Sequence, residues 1–174
     1  MELGLALVQF EAYDAEANRF LGLTTITLPE IEFETTDIKG SGILGTVSWP
    51  VRGNLNNLTM TYQWLTITAE GAKILNQSRG YNMSLRGLQD GYDAGTGERK
   101  NIPVRIDVRS HATKLSLGKF EVGEQTETEL EVMLDYIKVT IGGAEVLLID
   151  KFNYVYSING EDISEDIKAA LGRT

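Results

Sequence analysis

Apolar and polar residues take turns in several separate runs of this chain, and alternation of period two is the pattern of a β-strand with one face buried. Leu58, Met60, Tyr62 and Trp64 fall on one side of such a run, and Thr59, Thr61 and Gln63 on the other. Tyr81, Met83 and Leu85 oppose Asn82, Ser84 and Arg86 in the next. Ile102, Val104, Ile106 and Val108 oppose Arg105, Asp107 and Arg109, and Leu130, Val132, Leu134 and Tyr136 oppose Glu129, Glu131 and Asp135. Beyond Tyr136 the apolar set shifts to Ile137, Val139 and Ile141, which predicts a bulge or a strand that moves between sheets. Gly142-Gly143 predicts a tight hairpin turn. The return strand is read with Phe152, Tyr154, Tyr156 and Ile158 on one face, closed by Asn159-Gly160. Residues 1–9, without a basic start, read as a further strand rather than a leader.

Two segments read as helix. One lies around Glu70 to Gln77. The other spans residues 162–172, where Asp162-Ile163-Ser164-Glu165 fits a capping box and Ile163, Ile167 and Leu171 make one apolar stripe before Gly172. The expectation is a single domain over residues 1–174, mainly β: an antiparallel β-sandwich or barrel-like subunit with one short internal helix and a short C-terminal helix.

Composition removes whole classes of chemistry. With no cysteine and one histidine, His111, thiolate sites, disulfides and multi-histidine metal centres are excluded, and no cofactor is implied. A net charge of −9 argues against binding nucleic acid by neutralising phosphates. The formal G-x-G-x-x-G at Gly40-Ser41-Gly42-Ile43-Leu44-Gly45 lacks its context: Trp49-Pro50 and Gly53 forbid the following helix, and no Asp or Glu occurs from Ile38 to Ala69. The segment around Gly40 to Gly45 therefore reads as a long flexible loop, and its acid-free apolar residues Ile43, Leu44, Val47 and Trp49 suit contact with another surface.

Glu121, Glu124, Glu127, Glu129 and Glu131 crowd the start of one strand. A solvated charged face is the plain reading, with Arg105 and Arg109 on a neighbouring strand placed to neutralise part of it. Two other functions draw on the same residues: a glycoside hydrolase using these glutamates, which requires two carboxyls at a set separation in a cleft, and a monomeric carbohydrate-binding β-sandwich module stacking sugar on Trp49. Trp64 and Tyr62 share an apolar strand face and read as core. Asp90 to Glu98 reads as a hairpin tip, and His111 as a strand-face residue.

The order of features resembles the major tail tube proteins of contractile-tailed bacteriophages and phage-tail-like bacteriocins. The resemblance is carried by Thr27-Leu28-Pro29-Glu30-Ile31, the 40–45 glycine loop, Leu58 to Trp64, and the short helix before Arg79-Gly80. At the end of the chain come Glu124 to Glu129, Tyr136 to Gly143, Glu145 to Asp150, and Asn159-Gly160-Glu161-Asp162 before the terminal helix. It implies a non-enzymatic structural subunit of a virion tail or tail-like particle. Six copies would form a ring, the rings would stack into a hollow tube, and the sheets would join around the lumen. Sheath, tape-measure and baseplate proteins are the implied partners, and DNA would only pass through the lumen. The resemblance makes residues 36–53 an inter-ring loop, with Gly40, Gly42, Ile43, Leu44, Val47 and Trp49 as its contact residues. Glu127, Glu129 and Glu131 become an acidic wall facing the lumen, repelling a polyanion so that it slides.

Overall fold

In the computed structural model, which describes residues 2–66 and 68–173, strands dominate, as the alternation predicts. They are β1 (Glu2–Asp14), β2 (Thr25–Thr27), β3 (Phe33–Ile38), β4 (Val47–Leu55), β5 (Leu58–Trp64), β6 (Tyr81–Asp93), β7 (Glu98–Ser116), β8 (Thr128–Ile141), β9 (Ala144–Asp150), β10 (Val155–Ile158) and β11 (Glu161–Asp162). Helix α1 (Ala69–Ala72) runs into a 3-10 turn (Lys73–Leu75), and α2 (Glu165–Ala170) ends the fold. No helix among the described residues is long and apolar enough to cross a membrane.

All pairings are antiparallel. The main sheet runs β1-β6-β7-β8-β9-β10-β11, and β5, with β2 beyond it, joins β8 on the same side as β9. The N-terminal half of β8 pairs with β5, from Leu58↔Leu134 to Trp64↔Thr128, while its C-terminal half pairs with β9, from Tyr136↔Asp150 to Ile141↔Ala144. The exchange of partner falls on Asp135. There the register against β7 also slips, since Arg109 faces Tyr136 but Ser110 faces Leu134. The shift of apolar face is thus a bulge, and β8 stays within one sheet while changing its neighbour. Beyond it, Gly142-Gly143 makes the β8–β9 turn as expected.

The sheet curls until its ends nearly meet. Leu21 N–H donates to Ala12 O (2.9 Å), Asp14 N–H to Arg19 O (2.9 Å) and Thr24 N–H to Gln63 O (2.9 Å), so the segment before β2 links β1 to β5. This barrel-like circuit encloses the core, in which Leu58, Met60, Tyr62, Met83, Leu130, Val132 and Leu134 are essentially buried. Trp64 is buried as read, and its indole N–H donates to Leu21 O (3.0 Å), holding the closing segment down. Burial also pushes the Tyr62 phenol well above its ordinary range.

Three readings change in detail. The internal helix is shorter than 70–77: Thr68 Oγ1 caps it by accepting from Gly71 N–H (3.1 Å), and it tightens and stops at Leu75. The return strand is β9, which ends at Asp150. The Asp150 carboxylate accepts from Asn153 N–H (3.0 Å) and Asn153 Nδ2 (2.7 Å), turning the chain so that Phe152 and Tyr154 leave the strand. The C-terminal helix begins at Glu165 instead of 162, because Asp162 belongs to β11 and pairs with Ser157.

Asp135, almost fully buried, receives both oxygens' worth of contact from Arg109 Nε (2.9 Å to each) and lies 3.3 Å from His111 Nε2. Its backbone carbonyl accepts from Lys151 N–H (3.0 Å). Removing the guanidinium leaves that carboxylate buried without its main counter-ion. Arg109→Ala is expected to cost about 2 kcal/mol, below the ~3–5 of a fully buried pair because Arg109 is partly solvated. Urea unfolding of the two proteins measures it.

Candidate assembly surfaces

The segment from Phe33 to Leu55 is a separate two-stranded sheet, β3 against β4, paired from Phe33↔Leu55 to Ile38↔Val47. The expected 36–53 loop is therefore mostly an ordered hairpin arm, and only residues 39–46 form its loop. Every residue from 34 to 50 is exposed. An arm with solvent on both faces has no buried side to impose alternation, which is why the period-two signal is silent here. A strand of six residues extends about 20 Å from the body.

An isolated hairpin is marginally stable in water, so the order of this arm depends on its root. The Phe33 ring meets Tyr156 edge-on at 5.8 Å between centroids. Arg52 reaches Asp166 of α2 (3.6 Å), and Lys151 Nζ donates to Asn56 O (2.6 Å). Gly53 has φ +83°, and a Cβ there would stand 3.0 Å from Ile167 Cδ1 and 3.3 Å from the Tyr154 hydroxyl. Glycine is required both by the backbone and by the approach of α2. The apolar stripe expected on the terminal helix thus covers the arm's root through Ile167, while Leu171 remains largely exposed.

Along the outer part of the arm, Leu44 is completely exposed and Trp49, Val47 and Ile43 are each more than a third exposed. Gly40 and Gly42 lie in the loop, with Ile43 N–H donating to Gly40 O (3.1 Å). The arm carries these residues on one projection. A second exposed element was missed by sequence reasoning: the β7–β8 loop, where Phe120 and Val122 are fully exposed. Its signal, apolar residues between Gly118 and Gly123, was masked by the surrounding glutamates. A third is the outer edge of β1. Leu5, Leu7 and Val8 are over half exposed, and residues 3–10 have no strand partner on that side among the described residues.

Of the acidic residues, Glu129 and Glu131 lie on the β8 face opposite Leu130 and Val132. Glu127 precedes the strand with φ +52°, so it does not continue the alternation. The register sets Glu129 opposite Gln63 and Ser116, and Glu131 opposite Thr61 and Lys114; Gln63 Nε2 donates to Glu129 (3.0 Å). Arg105 and Arg109 do not reach them. Arg105 pairs with Asp107 and Arg109 with Asp135, because both arginines sit on the part of β7 that faces the C-terminal half of β8. Tyr62, Trp64 and Tyr81 are buried and leave no aromatic platform beside Trp49.

The clasp over the arm's root has a titratable member. Burial pushes the Asp162 carboxyl up, but hydrogen bonds from Lys168 Nζ, Ser164 Oγ (2.6 Å) and Ser164 N–H (2.9 Å) outweigh it and lower its pKa to about 2. Its stabilisation is complete above the unfolded value near 4 and is lost as pH falls through about 2. Asp162→Asn should cost about 1 kcal/mol near neutral pH and flatten the acid dependence between about pH 4 and 2, read by melting scans across that window.

The chain matches the phage tail tube protein FII family over residues 6–172. It is 25% identical over 151 residues to the tail tube protein of Escherichia phage P2, covering 85% of this chain and 86% of that one. It is 24% identical over 177 residues to the major tail tube protein of Serratia phage KSP20, covering 94% and 93%. The fold resembles the sheath/tube terminator of an extracellular contractile injection system (TM-score 0.54, 10% identity, 79% of this chain and 97% of that one). It also resembles a chain of the sheath-tube complex of such a system in its extended state (TM-score 0.51, 12% identity, 76% and 88%). The family match spans the curled antiparallel sheet together with its arm, and the protein belongs to the phage tail tube protein FII family.

Proposed function

We propose that this chain is the repeating subunit of the inner tube of a contractile tail, acting structurally and without catalysis. Six copies form a ring, rings stack into a hollow tube inside a sheath, and DNA or a tape-measure protein passes through the lumen. The observation that carries this reading is the ordered arm with its exposed apolar tip, a segment that makes no sense for a solitary subunit. Leu44 in the loop, Ile43 and Val47 beside it and Trp49 partway down the arm present exposed apolar side chains up to about 20 Å from the body, and such exposure marks a contact with another protein. Gly40 and Gly42 let the loop settle onto that partner. The open edge of β1 from Leu3 to Ala6 supplies unpaired backbone groups along which a neighbouring sheet can continue. A contact between different surfaces of identical copies does not close on itself, so stacked rings grow as a filament.

Negative-stain electron microscopy and sedimentation velocity of the purified protein test this directly. Six-fold rings or hollow tubes are expected at high concentration. Leu44→Ser with Trp49→Ser should leave a folded subunit with its melting temperature nearly unchanged and abolish the tubes. A particle that stays monomeric at every concentration, even with baseplates added as nuclei, overturns the reading; ligand-dependent Trp49 fluorescence in such a monomer would favour the sugar-binding module.

Glu127, Glu129 and Glu131 are assigned to the lumen wall. The face of β8 that carries Glu129 and Glu131 is backed by core residues and flanked by Thr61, Gln63, Ser116 and Lys114; with the two glutamates against one lysine, it is a surface suited to repel a polyanion without gripping it. Cysteine introduced at Glu129 is expected to react with a bulky thiol reagent far more slowly in assembled tubes than in free subunits. Equal rates would remove these residues from the wall.

A further inference from the structure

We propose a second inter-copy contact, in which the β7–β8 loop of one subunit inserts Phe120 and Val122 into an apolar groove on a subunit of the next ring. This inference rests on the tube reading above and adds to it a contact that does not involve the hairpin arm.

The loop is built to present these side chains. Lys119 N–H donates to Thr126 O (2.9 Å) and Thr128 Oγ1 to Leu117 O (3.3 Å), which draws residues 117–128 into a narrow neck. Gly118 sits in that neck with φ +75°, and a Cβ there would fall 1.8 Å from Thr126 O, so no side chain fits. Beyond the neck Phe120 and Val122 touch nothing, and Leu117 at its base is mostly exposed. Three apolar side chains held in water by an ordered neck are a knob without a hole.

The hole lies elsewhere on the same chain. Closure of the barrel is complete only where residues 19–24 bridge β1 and β5; past that point β1 and β2 part and leave the interior open. Leu7, Phe10, Ile26, Leu28, Val104 and Ile106 line the resulting groove, of about 290 Å³. A cavity of about 150 Å³ lined by such residues holds a benzene ring, so this groove has room for a phenyl ring and a branched aliphatic side chain together. Leu7 and Leu28 at its mouth are about half exposed.

Placement decides the occupant. The loop leaves β7 at Ser116, whereas Val104 of the groove lies twelve residues back along the same strand, about 40 Å away. No subunit can fill its own groove. Knob and hole at opposite ends of one strand pair are the arrangement that joins copies head to tail and leaves each end free to add another. A second copy of this chain is therefore the partner.

The chain has no cysteine, so crosslinks can be assigned without background. A subunit carrying Phe120→Cys and Leu28→Cys, doped into excess unaltered chain so that tubes still form, is treated with a short bis-maleimide. Covalent dimers are expected from the double variant, growing into a ladder as its fraction rises, and neither single variant should give a ladder. Phe120→Ser, altering only an exposed side chain, should keep the melting temperature and raise the protein concentration needed for tube growth by at least about tenfold. Intact tubes that give no crosslink, or Phe120→Ser tubes that grow like the unaltered ones, would overturn the contact and leave the tube reading standing. A crosslink between Leu28→Cys and Leu44→Cys in its place would assign the groove to the arm. Failure of the unaltered chain to form any tube would overturn the tube reading, and this contact with it.

Discussion

The buried Asp135 carboxylate, gripped by Arg109 beside His111, is the interaction on which the architecture turns. It sits at the bulge where β8 exchanges β5 for β9, so one long strand serves both the closed part of the barrel and the β9-β10-β11 end of the same sheet, which leads into α2. An unpaired residue in a ladder bends and twists its strand. Here the side chain of that residue is charged and buried, which makes the bulge stable only where the guanidinium stands. The carbonyl of Asp135 takes Lys151 N–H, and Lys151 Nζ in turn holds the chain at Asn56, between β4 and β5. The position of the arm's root thus follows from the position of the bulge.

The arm itself shows how a subunit can carry surface that has no use inside the subunit. From residue 34 to 50 its strands bury neither face, and its order comes from the root, where Phe33, Arg52 and Gly53 meet Tyr156, Asp166 and Ile167. The C-terminal helix is short and only half covered, and its task is to hold that root. The exposed edge of β1, the apolar tip near Leu44 and the Phe120 loop are each a liability in a solitary protein, since open edges and apolar patches invite association. In a self-assembling subunit association is the outcome to be directed, and ordered necks and roots direct it.

Core strands were legible because burial of one face imposes its period on the residues: Leu58 to Trp64 reads as it lies, and so do the alternating parts of β6, β7 and β8. The bulge was legible as a shift of face at Tyr136, although the residue that makes it, Asp135, looked like one more polar position. The arm was legible as contact surface from its lack of acids and its apolar residues, but not as strands. The Phe120 loop went unseen, because in sequence its apolar residues are outnumbered by glutamates, and exposure is not written in residue type.

Alternation, turn glycines and the absence of cysteine were enough to determine a mainly antiparallel β chain with a polar, acidic exterior, since these depend on local period and chemistry alone. Which strands neighbour which was decided by the tertiary structure. Pairing β8 with both β5 and β9, setting Arg105 and Arg109 away from the glutamates, and leaving β1 and β2 apart over the groove all depend on register between residues distant in the chain. Register is a property of the closed sheet, in which each strand's buried face must meet every other at once, and no run of residues read by itself contains that condition.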